Sequence, residues 1–232
     1  MPRGARPSIQ DRCRELLAFD RALAVPSLPP TSDRFAPPRL VGFDEAGRGA
    51  WAGPVAVGCV HLPVSSSDDE LVALLAGVDD SKRLTPATRE RLFARIAECA
   101  QSAVGFASAA EIDRIGIVPA CRRAAARAYK RLAIDADVVL CDRGLSLETP
   151  GAPPSTEFTS GDARSLHIAA ASIVAKVSRD TCMVHLDRVW PGYGLAQHKG
   201  YGTKAHRDAL LDRGASRLHR RTYLRGLREA NL

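Results

Sequence analysis

Apolar residues fall into short bounded runs from position 39 onwards, and the period of those runs changes along the chain. Arg39 to Asp44 and Pro54 to Leu62 are almost continuously apolar and flank a glycine-rich turn, the pattern of strands buried on both faces. Asp79 to Leu84 is a polar connection. Thr85 then supplies an N-cap and Pro86 a first helical residue, opening a helix whose Leu92, Phe93 and Ile96 share one face. Ala103 to Ala107 reads as a third strand, Val118 to Leu132 as a helix, and Asp137 to Asp142 as a short buried strand that delivers a carboxylate at its C-terminal end. A loop rich in Pro, Gly, Ser and Thr spans Glu148 to Ser155, and Glu157 to Gly161 forms one more short strand. From Ser165 to about Val189 the period is helical, with Ala169, Ala170, Ala171 and Ala175 on a small-residue face that permits close packing on a sheet; Pro191 ends it.

Strands first, then strands alternating with helices, predict an α/β domain over 39–190, in which a sheet is flanked by helices. Residues 1–38 hold seven of the fifteen prolines and read as an N-terminal extension, although Ile9 to Leu23 has the spacing of a short amphipathic helix. Residues 191–232 read as a helical, basic C-terminal region.

Charge sharpens this picture. The formal net charge is +7, and from 181 to 232 ten Lys and Arg face four acidic residues. Such an excess, which includes Arg217, Arg220 and Arg221, points to a polyanionic partner, most simply nucleic acid. Six cysteines stand singly with no C-x-x-C pair, so they read as small buried hydrophobes of a reducing compartment rather than as zinc ligands or disulfides. That includes Cys141, whose position beside Asp142 imitates a nucleophile. No run of about 18 apolar residues is present, and the N-terminus lacks an apolar h-region, so a cytoplasmic location is expected.

The candidate chemistry begins at the end of the first strand, where Asp44 and Glu45 stand directly before Gly47, Arg48 and Gly49. Carboxylate oxygens are the ligands preferred by Mg²⁺ and Mn²⁺; glycines let a backbone approach a phosphate, and Arg48 offers a forked donor. Asp142 ends a second strand, and parallel neighbours would bring it beside Asp44 at the edge where open α/β sheets carry their sites. Asp162, in Ser-Gly-Asp-Ala-Arg just before the long helix, can face the same edge. Four such groups suit a pair of divalent ions about 3.5–4 Å apart, as in phosphodiester hydrolysis.

Six segments together carry a family likeness: Asp-Glu-Ala-Gly-Arg-Gly (44–49), Ala-Gly-Pro (52–54), Asp-Ser-Lys (80–82), Ala-Ala-Ala-Ser-Ile-Val-Ala-Lys-Val-Ser-Arg-Asp (169–180), His-Lys-Gly-Tyr-Gly-Thr (198–203) and His-Arg-Arg-Thr-Tyr (219–223). In this order, from about 39 to 223, the chain resembles bacterial ribonuclease HII. The resemblance implies a ribonuclease H-like mixed sheet and an Mg²⁺- or Mn²⁺-dependent endonuclease. Such an enzyme cuts the RNA strand of RNA/DNA hybrids and incises beside single ribonucleotides in duplex DNA, leaving 5′-phosphate and 3′-hydroxyl ends. It also implies Asp44, Glu45, Asp142 and Asp162 as metal ligands, Gly47, Arg48 and Gly49 as readers of the ribose, and Tyr201 as a ring packed on the following deoxyribose. Lys82 and Lys176 would contact phosphate or support the site. Asp180 is the rival ligand and reads as an ion-pairing residue instead.

The chain departs from the family pattern at Ala50, where proline is usual, and at Asp142-Arg143-Gly144, where glycine commonly follows the aspartate directly. His198 and His206 read as phosphate contacts or plain surface, and Trp51 and Trp190 as packing. A monomer is expected. The rival readings are ribonuclease HIII, which carries an extra N-terminal domain that residues 1–38 are too short to supply, and a non-catalytic hybrid-binding protein, which has no need of all four carboxylates. A small-molecule phosphatase would leave the basic tail unexplained.

Overall fold

Strands β1 (Leu40–Ala46) and β2 (Val55–His61) pair antiparallel around the glycine-rich turn, and β3 (Gln101–Ala107) pairs antiparallel with β2. On the other side of β1, β4 (Val138–Asp142) runs parallel to it, and β5 (Ser155–Phe158) runs parallel to β4. The order is β3-β2-β1-β4-β5 in one five-stranded mixed sheet. This computed structural model describes residues 8–24, 38–63, 67–148, 150–153 and 155–226.

Two helical layers cover the sheet. Val41, Phe43, Val55, Val57 and Cys59 point to one face and pack against Ala120, Ala124 and Ala128 of helix α5 (Ile117–Leu132). The long helix α6 (Leu166–Val189) covers the opposite face with its predicted alanine stripe. The approach is close: a Cβ on Gly58 would lie 2.3 Å from the Ala171 carbonyl oxygen, and one on Gly105 would lie 2.0 Å from that of Ala124. Outside α6 lie α2 (Asp68–Leu74) and α3 (Pro86–Cys99), the latter capped by Thr85 as the sequence predicts. Helix α4 (Ala109–Ile115) opens on a reciprocal Ser108–Glu111 capping box.

Three expectations change. Helix α1 (Ile9–Ala24) is part of the packed body, because Cys13, Leu16 and Leu17 are buried in the core beneath α6, and Asp20 accepts hydrogen bonds from the His167 backbone N–H (3.1 Å) and Nδ1 (2.8 Å). The proline-rich stretches 1–7 and 25–37 lie outside the described residues, as do 149 and 154 of the Glu148–Ser155 loop. The fifth strand begins earlier than its sequence suggests, since Ser155 pairs with Val139 and Phe158 with Asp142; left-handed Ser160 (φ 55°) then turns the chain into a 3₁₀ turn, Gly161–Ala163. The polar connection after Val78 likewise contains a 3₁₀ turn, Ser81–Arg83.

The C-terminal region is helical, comprising α7 (Leu195–His198), α8 (Lys204–Arg213) and a 3₁₀ turn, Arg221–Leu224. It is joined to the β1–β2 turn through a β-bridge between Ala52 and His219. Among the described residues, no helix is long and apolar enough to cross a membrane.

Candidate metal centre

The register of the parallel pair builds the acidic edge. Phe43 lies opposite Cys141, so Asp44 and Asp142 emerge side by side one residue further on. Glu45 joins them, and each of the three carboxylates offers an oxygen within 4.8 Å of the others. Asp44 Oδ1 accepts from the Glu45 N–H (2.7 Å), and Asp142 Oδ1 accepts from the Gly161 N–H (3.0 Å), which ties β4 to the 3₁₀ turn carrying Asp162. In Asp142-Arg143-Gly144 the chain turns at Gly144, whose φ of 88° is open to glycine without strain.

Electrostatics show what the edge favours. Burial, then repulsion from Glu45, Asp142 and Asp162, pushes the Asp44 carboxyl well above the usual range. Burial also raises Glu45, against the pull of Arg48, whose Nη1 lies 3.4 Å from Glu45 Oε1. Glu45 Oε2 is buried without a hydrogen-bond partner. An all-oxygen donor set with excess negative charge and an orphaned ligand atom fits a hard divalent cation such as Mg²⁺ or Mn²⁺.

Asp162 stands outside that group of three. It is buried at the start of α6, and burial followed by the Asp80 carboxylate raises its pKa to about 6. Lys82 Nζ is 3.9 Å from Asp162 Oδ2. Burial lowers the Lys82 pKa, but Asp162, Asp44, Asp80 and Glu45 outweigh it and hold the group above its ordinary value. The turn bearing Asp80 and Lys82 is fixed by Ser81 Oγ, 2.6 Å from Ser172 Oγ of α6. Asp80 is the neighbour that sequence reasoning passed over, although it lies inside the quoted Asp-Ser-Lys segment.

Beside the acidic edge, the turn exposes Gly49, where an added Cβ would meet no atom within 4 Å. Ala50, in place of the usual proline, donates its N–H to the Gly47 carbonyl (3.3 Å). Tyr201 is 37% exposed, and its ring centroid lies 5.8 Å from Lys176 Nζ and 5.5 Å from Arg179 Cζ. It borders a groove of about 510 Å³ whose wall includes Arg89, Lys176, His198 and Lys199. Lys176 also bonds Asp180 (2.9 Å) one helical turn on, the ion pair expected for the rival ligand.

Two surface assignments fail. His206 is fully buried: its Nε2 lies 3.1 Å from His219 Nε2, and its Nδ1 lies 3.0 Å from the Tyr201 carbonyl oxygen. Arg220, expected on the nucleic-acid track, is also fully buried, whereas Arg217 and Arg221 are exposed. Sequence spacing carries no sign of either, because both residues are buried against the distant β1–β2 turn and its neighbours.

The family model for ribonuclease HII matches residues 41–225. A ribonuclease HII from Geobacillus thermodenitrificans is 44% identical over 215 residues, covering 92% of this chain and 76% of the relative. Among solved structures, the PCNA:RNase HII complex from Archaeoglobus fulgidus matches with a TM-score of 0.65 and 27% identity, over 78% of this chain and 93% of that one. Ribonuclease H2 from Pyrococcus horikoshii OT3 shares the fold with a TM-score of 0.67 at 24% identity, over 83% and 98% of the two chains. With β1 and β4 delivering their carboxylates to one edge of a ribonuclease H-like sheet, and with the sequence match running through that edge and the C-terminal helices, the chain belongs to the ribonuclease HII family.

Proposed function

We propose that the acidic edge hydrolyses the phosphodiester 5′ to a ribonucleotide, both in RNA/DNA hybrids and at single ribonucleotides embedded in duplex DNA, using Mn²⁺ or Mg²⁺ held by Asp44, Glu45, Asp142 and Asp162. Family membership makes the chain a metal-dependent endoribonuclease of RNA/DNA hybrids. The observation that carries the finer reading is the packing of three carboxylates with an unpaired Glu45 oxygen beside a turn in which Gly49 is exposed.

Each residue has a definable task. Asp44, Glu45 and Asp142 present oxygens to a cation from the rigid ends of two adjacent strands, and Asp162 approaches from the turn before α6. When bound, divalent ions supply a water of lowered pKa and offset the charge that builds on the phosphate. Gly47, Arg48 and Gly49 bring backbone close to the ribose, where the 2′-hydroxyl distinguishes RNA from DNA. Tyr201 offers its exposed ring to the next sugar, which must lack that hydroxyl to pack against it without desolvating a polar group. Lys82, 3.9 Å from Asp162, and Lys176, beside the Tyr201 ring, would hold phosphate oxygens of the substrate.

Residues 39–190 would form the catalytic body and 191–232 the substrate-binding region of a cytoplasmic monomer. The free cysteines, four of them buried, suit a reducing compartment. Tyr201→Ala tests the reading: incision at a single embedded ribonucleotide is expected to fall by about tenfold more than cleavage of a continuous hybrid, with Mn²⁺ affinity unchanged. Equal proportional losses on both substrates would remove the junction role.

A further inference from the structure

Two arginines lie in the interior with no exposed surface, Arg179 of α6 and Arg220 after the bridge residue His219. Among the described residues, neither forms an ion pair. Burying a guanidinium without a counter-charge is costly unless its donors find acceptors, and here each of the three nitrogens of either arginine donates to a backbone carbonyl. Arg220 donates from Nε to the Gly53 carbonyl (3.1 Å), from Nη1 to that of Arg48 (2.8 Å) and from Nη2 to that of Gly47 (2.8 Å). Arg179 donates from Nε to the Pro54 carbonyl (2.8 Å), from Nη2 to that of Ala52 (3.3 Å) and from Nη1 to that of Lys199 (3.0 Å). Five of the six acceptors belong to residues 47–54, and the sixth belongs to the loop that carries Tyr201.

A trans peptide is planar, so its C=O and N–H point in opposite directions. Drawing the Gly47 and Arg48 carbonyls inward to Arg220 therefore turns the N–H groups of Arg48 and Gly49 the opposite way, away from the guanidinium. Tyr223 Oη adds a second bond to the Arg48 carbonyl (3.1 Å). Arg179 does something different. Besides holding Ala52 and Pro54, it fixes Lys199 and lies under the Tyr201 ring, while the Trp51 N–H donates to the Gly200 carbonyl (2.8 Å). No side chain fits between: a Cβ on Gly47 would lie 1.8 Å from Arg179 Nε, and one on Gly200 would lie 2.3 Å from the Ala52 carbonyl oxygen. Turn and loop share one guanidinium.

We propose that Arg179 and Arg220 are positioning residues, Arg220 aiming the ribose-reading amides and Arg179 coupling the 47–54 turn to the Tyr201 loop, so that the ribose and the deoxyribose after it are tested by one rigid unit. This rests on the ribose and junction roles proposed above. Burial, followed by the neighbouring Arg179, lowers the Arg220 pKa to about 10, and burial lowers that of Arg179. At about 10, Arg220 stays protonated at neutral pH with its donors in place.

The test uses the full chain with Trp190→Phe, which leaves Trp51 as the only tryptophan and a reporter of how turn and loop pack. Into this background go Arg179→Lys, which keeps the charge but loses the fork, Arg179→Gln, Tyr201→Ala, and each Arg179 change combined with Tyr201→Ala. Arg179→Lys is expected to move Trp51 emission to longer wavelength and to lower the ratio of single-ribonucleotide incision to hybrid cleavage by about tenfold, with Mn²⁺ affinity held. In the Tyr201→Ala background the same change should alter that ratio by less than about twofold, as coupled residues do. Unchanged emission, or an unchanged ratio where Tyr201→Ala lowers it, overturns the proposal. If Tyr201→Ala itself leaves the ratio untouched, the junction reading falls, and Trp51 emission alone decides whether Arg179 couples turn and loop. Should neither Arg179→Lys nor Arg179→Gln fold with the parental circular dichroism, the arginine is merely structural and the proposal fails.

Discussion

Asp44 shows at a single residue what it costs to bury a carboxyl among other carboxyls. Its carboxyl is buried beside Glu45 and Asp142, and its pKa is raised well above the usual value, as is that of Asp162 to about 6. A carboxyl raised in the fold binds its proton more tightly there than in the unfolded chain. Its contribution is present at low pH and is lost as pH rises from about 4 through 6 and beyond. In chelator, Asp44→Asn is therefore expected to raise the melting temperature at pH 8 by about 2–4 °C, on the order of 1 kcal/mol, and the gain should shrink as pH falls towards the ordinary carboxylate value of about 4. Added Mg²⁺ should reverse the order by binding the parent alone. A gain independent of pH and metal would mean that the carboxylate is not strained by its neighbours. Asp142→Asn probes chemistry instead: the rate is expected to drop by several orders of magnitude while duplex affinity stays within about tenfold. A rate within about tenfold of the parent would take Asp142 out of the ligand set.

Elements explain which parts of the fold were legible. Strands β1, β2 and β4 announced themselves because each is buried on both faces and reads as an apolar run, and α6 because its alanines recur at helical spacing. Since β1 and β4 are parallel neighbours, the convergence of Asp44 and Asp142 followed from strand ends alone. Helix α4 was missed although its Ser108–Glu111 box was readable; the signal was present and unused. The role of α1 was not readable, because nothing local says that Leu16 and Leu17 share a core with Ala169 and Ala170 of α6, more than a hundred residues away. Nor does local pattern distinguish the buried Arg220 from the exposed Arg221. If α1 is a wall of the core, Leu17→Ala should cost about 2–5 kcal/mol in urea unfolding. A cost within about 0.5 kcal/mol, as for a surface site, would mean that the helix does not pack there in solution.

Across the whole molecule, charge is sorted by depth: an acidic edge between β1 and β4, two buried arginines behind the adjoining turn, and exposed arginines on the C-terminal region. Arg217 and Arg221 are exposed members of the basic tail, so changing both to Ala should flatten the dependence of log affinity on log salt by about one unit for each phosphate left without its arginine. Arg220→Ala should leave that slope alone and lower stability instead, and equal slope changes for surface and buried arginines would contradict the assignment. The central claim is that this acidic edge cuts beside a ribonucleotide with a divalent cation, and it is tested most directly by end analysis of a labelled DNA duplex holding one ribonucleotide. With Mn²⁺ or Mg²⁺, incision is expected 5′ to the ribonucleotide, leaving 3′-hydroxyl and 5′-phosphate ends, with none in chelator and none on the all-DNA duplex. Cleavage that persists without metal, or a 2′,3′-cyclic phosphate product showing attack by the ribose hydroxyl itself, would contradict it.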